Sequence, residues 1–148
     1  MTKRSFTQAQ KLPIAAGNYD LTITAATPRI TSGLDKQERV EVVLDAEVDG
    51  KPVRLEDLLV HAADATPAQD AFLDHCVPVV GALAKLAGVD EAVLEDGDVA
   101  DVVAALAAGV NGGLNARVSL ALRTSTRGTF NRLDAVYGPA LAELEAAK

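Results

Sequence analysis

Nine cationic side chains and one ring are the parts of this chain best suited to holding a ligand. Arg29, Lys36 and Arg39 surround a first hairpin, and Lys51 and Arg54 a second. Arg117, Arg123, Arg127 and Arg132 lie on the last two strands, with Phe130 among them. Guanidinium and ammonium groups neutralise phosphates, and aromatic rings or arginine planes stack on bases. Such a set along one groove is what a single-stranded nucleic acid requires. Stacking contributes about 1–3 kcal/mol per base, so each exposed ring counts. Tyr19 is in phase with Leu21 and Ile23 and is expected in the core, and Tyr137 follows the Leu133–Ala135 face and leans the same way. Phe130 is in phase with Arg132 and opposite Leu133, which leaves its exposure open. Phe72 sits on the apolar stripe of a helix and is expected to be core.

Catalytic and metal-binding patterns are not found. His61 and His75 are the two histidines and share no metal-ligand spacing. Cys76 is the one cysteine, so neither an internal disulfide nor a cysteine-based zinc site within the chain can form. His75 beside Cys76 on a helix reads as a capped or surface histidine, not half of a catalytic pair. The run from Asp90 to Asp98 lacks the ligand spacing and terminal glutamate of a calcium loop, and reads as an acidic linker plus a helix cap. Asn111-Gly112-Gly113 lacks the Lys-Ser/Thr of a phosphate loop, so a turn suffices. A binding protein is expected rather than an enzyme, with no cofactor and no metal.

The net charge of −7 argues against a generic nucleic-acid coat, but its distribution says more. Between Val60 and Gly113 nine carboxylates face one cation, Lys85; between Leu114 and Leu133 four arginines face no acid. One acidic side and one basic stripe fit that layout, as do charges that simply decorate solvated faces.

The elements that must position these groups follow from periodicity. Residues 1–12 read as a polar arm ahead of Pro13, and 140–148 as a short helical or frayed tail. Tyr19, Leu21 and Ile23 alternate with polar residues, the pattern of a half-buried strand that continues weakly past Pro28 to a loop at 31–36. Val40, Val42 and Leu44 mark a second strand, Asp49-Gly50 a tight turn, and Val53 to Val60 a third strand. Thr66-Pro67-Ala68-Gln69 is a capping box with proline at the first helical position. Phe72, Cys76, Val79, Val80, Leu83 and Leu86 recur at helical spacing, with a kink or a break expected at Pro78. A second helix starts at Asp98 and ends at Gly109. Leu114, Ala116, Val118, Leu120 and Leu122 then alternate inward, and a final strand runs from Thr129 to Tyr137.

Three strands, a helical insert and two strands form the order of a mainly β domain over residues 13–139. The fold class expected is a five-stranded OB-fold-like barrel, β-β-β-α-α-β-β, which binds oligonucleotides on its strand 2–3 face and flanking loops. An unclosed five-stranded α+β sandwich is the alternative. Leu12-Pro13 with Ala16-Gly17-Asn18-Tyr19-Asp20-Leu21, the Thr31-Ser32-Gly33 hairpin, the Asp49-Gly50-Lys51 turn and Phe130-Asn131-Arg132-Leu133 appear in an order that resembles an uncharacterised bacteriophage domain family. That family's members are treated as OB-fold single-stranded-DNA-binding proteins encoded beside recombination and replication genes. The resemblance spans roughly residues 12–139 and implies sequence-nonspecific binding of single-stranded DNA alongside a phage recombinase or helicase. A homodimer is a guess that goes with it. The other function considered is an OB-like protein-interaction module, an accessory or anti-defence factor using its acidic helical face. No apolar run reaches the roughly 18–20 residues of a membrane span, and the N-terminal residues lack a secretory pattern. Cytoplasmic residence, in the host cell if the chain is phage-encoded, is the expectation.

Overall fold

In a computed structural model the described residues are 13–33, 36–111, 113–126 and 128–140. They form β1 (Gly17–Gly33), β2 (Lys36–Val48), β3 (Lys51–Val53), β4 (Leu58–Ala62), α1 (Pro67–Leu86), α2 (Glu91–Asp96), α3 (Val99–Val110), β5 (Leu114–Ser125) and β6 (Gly128–Pro139). The polar arm at 1–12 and the tail from 141 onward lie outside the described residues.

The protein is mainly β. Its sheet is six-stranded and antiparallel, in the order β3-β2-β1-β5-β6, with β4 also pairing β2. The ladder does not run continuously round into a barrel. Beyond β6, one parallel bridge, Leu55 to Asn131, links back toward the segment between β3 and β4. Two backbone hydrogen bonds make it: Glu56 N–H donates to the Asn131 carbonyl and Asn131 N–H to the Arg54 carbonyl, both at 2.8 Å.

The expected third strand is therefore split. Residues Lys51–Val53 and Leu58–Ala62 pair with β2, while 54–57 leave it and turn to β6. The tight turn before β3 is as expected: Asp49 and Gly50 have φ of 50° and 78°, the two left-handed positions of a type I′ loop between paired Val48 and Lys51. β1 is longer than its alternation suggested. It passes straight through Pro28, which pairs with Val42, and its irregularities fall at Ile23/Ala25 and Thr31/Gly33 instead.

Both halves of the capping box form at α1. Gln69 N–H donates to Thr66 Oγ1 (3.2 Å) and Thr66 N–H to Gln69 Oε1 (2.9 Å). Of the two outcomes expected at Pro78, a kink or two abutting helices, the second does not occur: α1 is one helix. Pro78 is exposed, and a proline removes a single hydrogen bond, while Cys76, Val79, Val80, Leu83 and Ala84 bury on either side of it. The acidic stretch expected to be a linker is a short helix, α2, whose cap Asp90 accepts from Ala92 N–H. α3 begins after Asp98 as expected, although the Asp98 side chain makes no cap hydrogen bond, and it runs past Gly109 to Val110.

The core lies between the inner sheet face and the helices. α1 packs against β4 and β6, and α3 against β1. Leu21, Leu58, Leu83, Leu106, Leu120 and Leu133 are fully buried. Each contributes about 1.5–3 kcal/mol relative to exposure. Two inward expectations fail. Leu122 is 49% exposed, because β5 extends beyond the packed part of the sheet, and Tyr137 is 61% exposed. The Tyr137 error has a definite cause. Leu120 pairs Leu133 and Ser119 pairs Ala135, so Asp134 is an extra residue that reverses the phase, and Tyr137, itself unpaired between Val136 and Gly138, turns outward.

Candidate nucleic-acid groove

Three stretches of chain converge on one cavity of about 470 Å³. The β1–β2 hairpin contributes Arg29, Arg39 and Glu41, the crossing segment contributes Arg54 to Asp57, and the β5–β6 hairpin contributes Ser125 and Phe130. The pleat explains why these side chains face it. Val40 and Val42 are buried, so Arg39 and Glu41 point to the opposite face, and Arg29 stands directly across from Glu41. Leu55 packs partly against the core and, with Arg54, Glu56 and Asp57, borders the cavity. Asn131 is buried inward, which turns Phe130 and Arg132 outward in the same sense.

Asn131 holds this region in register. Its Oδ1 accepts from Ile14 N–H (2.8 Å), and its Nδ2 donates to the carbonyls of Ile14 (2.8 Å) and Ala121 (3.1 Å). One fully buried amide thus ties the chain ahead of β1, β5 and β6 together, while its backbone carries the bridge to residues 54–56. Arg54 also reaches across the β5–β6 turn: a Cβ added at Gly128 would stand 3.2 Å from its guanidinium.

The groove is balanced in charge, with three arginines against Glu41, Glu56 and Asp57. Arg29 bridges two of these acids, Glu41 at 2.9 Å and Asp57 at 2.7 Å. The hydrogen bond to Glu41, then that acid's charge, then Asp57, hold its proton more firmly than usual. Being half exposed, these pairs orient side chains more than they stabilise the fold. Glu56 differs. Burial raises its pKa above the ordinary glutamate value, opposed by the charges of Arg123, Arg132 and His75. Its Oε2 and Arg132 Nε are 3.9 Å apart, near enough to attract and too far to hydrogen-bond, and neither atom has a hydrogen-bond partner among the described residues.

The residues singled out in the sequence separate on this geometry. Arg29, Arg39, Arg54 and Phe130 line the cavity. Arg123 is exposed and is the cross-strand partner of Phe130, which puts it beside the cavity. Arg132 is drawn away: its guanidinium lies over the Phe72 ring, 5.3 Å from the centroid, and is mostly buried. Arg117 pairs with Asp20 at 3.4 Å and does not line the groove, nor does Lys51, exposed at the start of β3. The side chain of Lys36 and the whole of Arg127 lie outside the described residues. The sequence reading missed Glu41, Leu55, Glu56, Asp57 and Ser125. The alternation of Val53 and Leu55 with Arg54 and Glu56 was the available signal for the middle of that set.

No family model, no curated protein and no solved structure matches the chain. Among the described residues, no group of three or more His, Cys, Asp or Glu is placed to hold a metal ion. No helix among them is long and apolar enough to cross a membrane.

Of the remaining sequence candidates, Tyr19 is half-buried against the core and donates its hydroxyl to the Ala15 carbonyl (2.6 Å). His75 is a partly buried structural histidine, its Nε2 3.1 Å from the Leu133 carbonyl. That contact makes Nε2 the protonated nitrogen, since a carbonyl only accepts.

Proposed function

We propose that this chain is an OB-fold-like domain that binds single-stranded DNA without a sequence motif, as a phage replication or recombination accessory protein. The observation that carries the reading is the groove shared by the first and last hairpins, with Arg29, Arg39, Arg54 and Phe130 on its walls. In an OB barrel the third and fifth strands meet in parallel, and the ligand lies between the strand 1–2 and strand 4–5 loops. The parallel bridge at Leu55 and Asn131 and the position of the groove are consistent with that plan. Cations along the rim would take phosphates, and Phe130 would take a base.

The test is fluorescence anisotropy of a labelled mixed-sequence oligonucleotide of about 20 nucleotides, longer than one OB site, at several salt concentrations. Binding with a log–log salt slope of about −2, the value for some three phosphate contacts, supports the reading. Affinity that is absent or indifferent to salt overturns it. In that event a second observation favours a protein-interaction module. An apolar cavity of about 390 Å³, with Val77, Val80, Leu94, Val99 and Val102 on its walls, opens beside the exposed acids Glu95, Asp96 and Asp98.

A further inference from the structure

The apolar cavity on the helical side is walled by all three helices, with Val77 of α1, Leu94 of α2 and Val102 of α3 among its lining. Val80 and Val103 lie buried within it, whereas Val77 is 48% exposed at its edge. Its volume of about 390 Å³ is near the lower end of the roughly 300–1,000 Å³ of ligand pockets, room for a few apolar side chains. Gly81 also lines it, in the interior of α1. Glycine inside a helix is destabilising relative to alanine, and nothing in the fold requires one here. Its φ is not positive, and a Cβ built on it meets no atom within 4 Å. A glycine that the fold does not need, opening onto an apolar cavity, leaves room for a group from outside the chain.

Acids ring the opening. Asp74 lies one turn before Val77, Glu95 and Asp96 follow Leu94, Asp98 precedes Val99, and Asp101 precedes Val102; all five are exposed. None of the five forms an ion pair among the described residues. Lys85 is the one lysine or arginine on the three helices. We infer that this cavity docks an amphipathic helix of a partner protein, one that places leucine-sized side chains between lysines or arginines. Charge selects the cationic partner, since the acids around the opening steer and retain it. The walls select a helix: their backbone groups are paired within α1 and α3, so an extended peptide finds no strand edge to join. A second copy of this chain is a poor occupant, because its own helices carry the same acids. The inference holds whether or not the oligonucleotide groove is occupied, since that groove takes none of its walls from a helix.

The test is fluorescence anisotropy, on the full chain at low and high salt, of a labelled leucine–lysine peptide of about 14 residues, some four helical turns. Its leucines lie on one helical face. The controls are a scrambled peptide of the same composition and a version with glutamate in place of lysine. The patterned peptide should bind about tenfold tighter than the scrambled one, the effect of a well-seated anchor, and should weaken as salt rises. The glutamate version should not bind. Gly81→Leu, which puts a side chain into the cavity, should weaken the patterned peptide about tenfold while unfolding in urea no earlier than the unsubstituted protein. Val77→Lys, on the exposed edge, should weaken it similarly through repulsion, and decides the matter if Gly81→Leu does not fold. Equal binding of patterned and scrambled peptides overturns the inference, because charge alone then suffices. So do binding that survives both substitutions, tighter binding of the glutamate version, and no binding of the patterned peptide. Dimerisation of the chain that Gly81→Leu abolishes would put a second copy in the cavity and overturn the assignment to a partner.

Discussion

The guanidinium of Arg132 lies 5.3 Å from the centroid of the Phe72 ring and joins β6 to α1. A cation spent in this way belongs to the fold before it belongs to any ligand. Arg132→Ala should lower stability by about 2 kcal/mol, from the lost cation–π contact and a more isolated Glu56, and should change oligonucleotide affinity less than twofold. Arg54→Ala should act on binding, weakening affinity several-fold and making the salt slope shallower by about 0.7. Urea unfolding and anisotropy on both variants separate the two roles. Equal losses of affinity would place Arg132 in the groove after all.

Asn131→Leu should be among the most destabilising single changes in the described core. It strands Ile14 N–H and the carbonyls of Ile14 and Ala121, each now bonded by a buried amide. Leaving such groups unpaired costs about 1–3 kcal/mol apiece, so a loss of about 3 kcal/mol or more is expected in urea unfolding. A shift of a few tenths would mean that water replaces the amide.

Glu56 sets a pH dependence whose sign is fixed by burial. An acid whose folded pKa is raised keeps its proton longer in the folded state than in the unfolded chain. Its effect on stability is neutral below the unfolded value of about 4.3. Stability is then lost as pH rises through the elevated folded value. Glu56→Gln removes this loss, so the variant should gain on the unsubstituted protein as pH rises and match it most nearly in acid. Unfolding free energies across that range would show a flat difference if Glu56 were freely solvated.

Two helical glycines should respond in opposite directions to alanine. Gly81 in α1 has open space where a Cβ would go, so Gly81→Ala should stabilise by about 0.5–1 kcal/mol through helix propensity. Gly109 in α3 has the Ala87 carbonyl oxygen 2.8 Å and the Ala87 Cβ 2.9 Å from that position. Gly109→Ala should therefore destabilise, despite the same propensity gain. Thermal melts of the pair decide it, and two gains would show that the α1–α3 contact yields easily.

Cys76 is fully buried, and burial pushes its thiol pKa up. A thiol-specific disulfide reagent should leave the native protein unmodified for hours and react promptly in denaturant. Fast labelling without denaturant would mean that α1 opens readily from β4.

Much of this architecture is legible in residue types. The Thr66–Gln69 box marks the start of α1, Asp49-Gly50 marks a turn, and Leu114 to Leu120 alternate as a strand does. What is not legible depends on tertiary context. α2 is six residues long, too short to show a helical period, so its acids read as a linker. Period 2 names the face on which Leu122 lies but not whether anything covers it, and a bulge reverses the phase before Tyr137. The basic stripe suggested by Arg117, Arg123 and Arg132 is dispersed by Asp20 and Phe72, partners distant in sequence. Arg29, Arg39 and Arg54 meet because the chain leaves β2 at residue 54 and crosses to β6, which no local pattern encodes.

That crossing has a kinetic meaning. The two hydrogen bonds at Asn131 join segments separated along the chain by all three helices, so their formation closes a long loop and belongs late in folding. With so few bonds, the same junction is a natural place for the native protein to open briefly. The groove lies across it, drawing walls from both sides. Any occupant of the groove becomes a staple over that junction, slowing amide exchange at Glu56 and Asn131 and coupling occupancy to how long the two hairpins stay together.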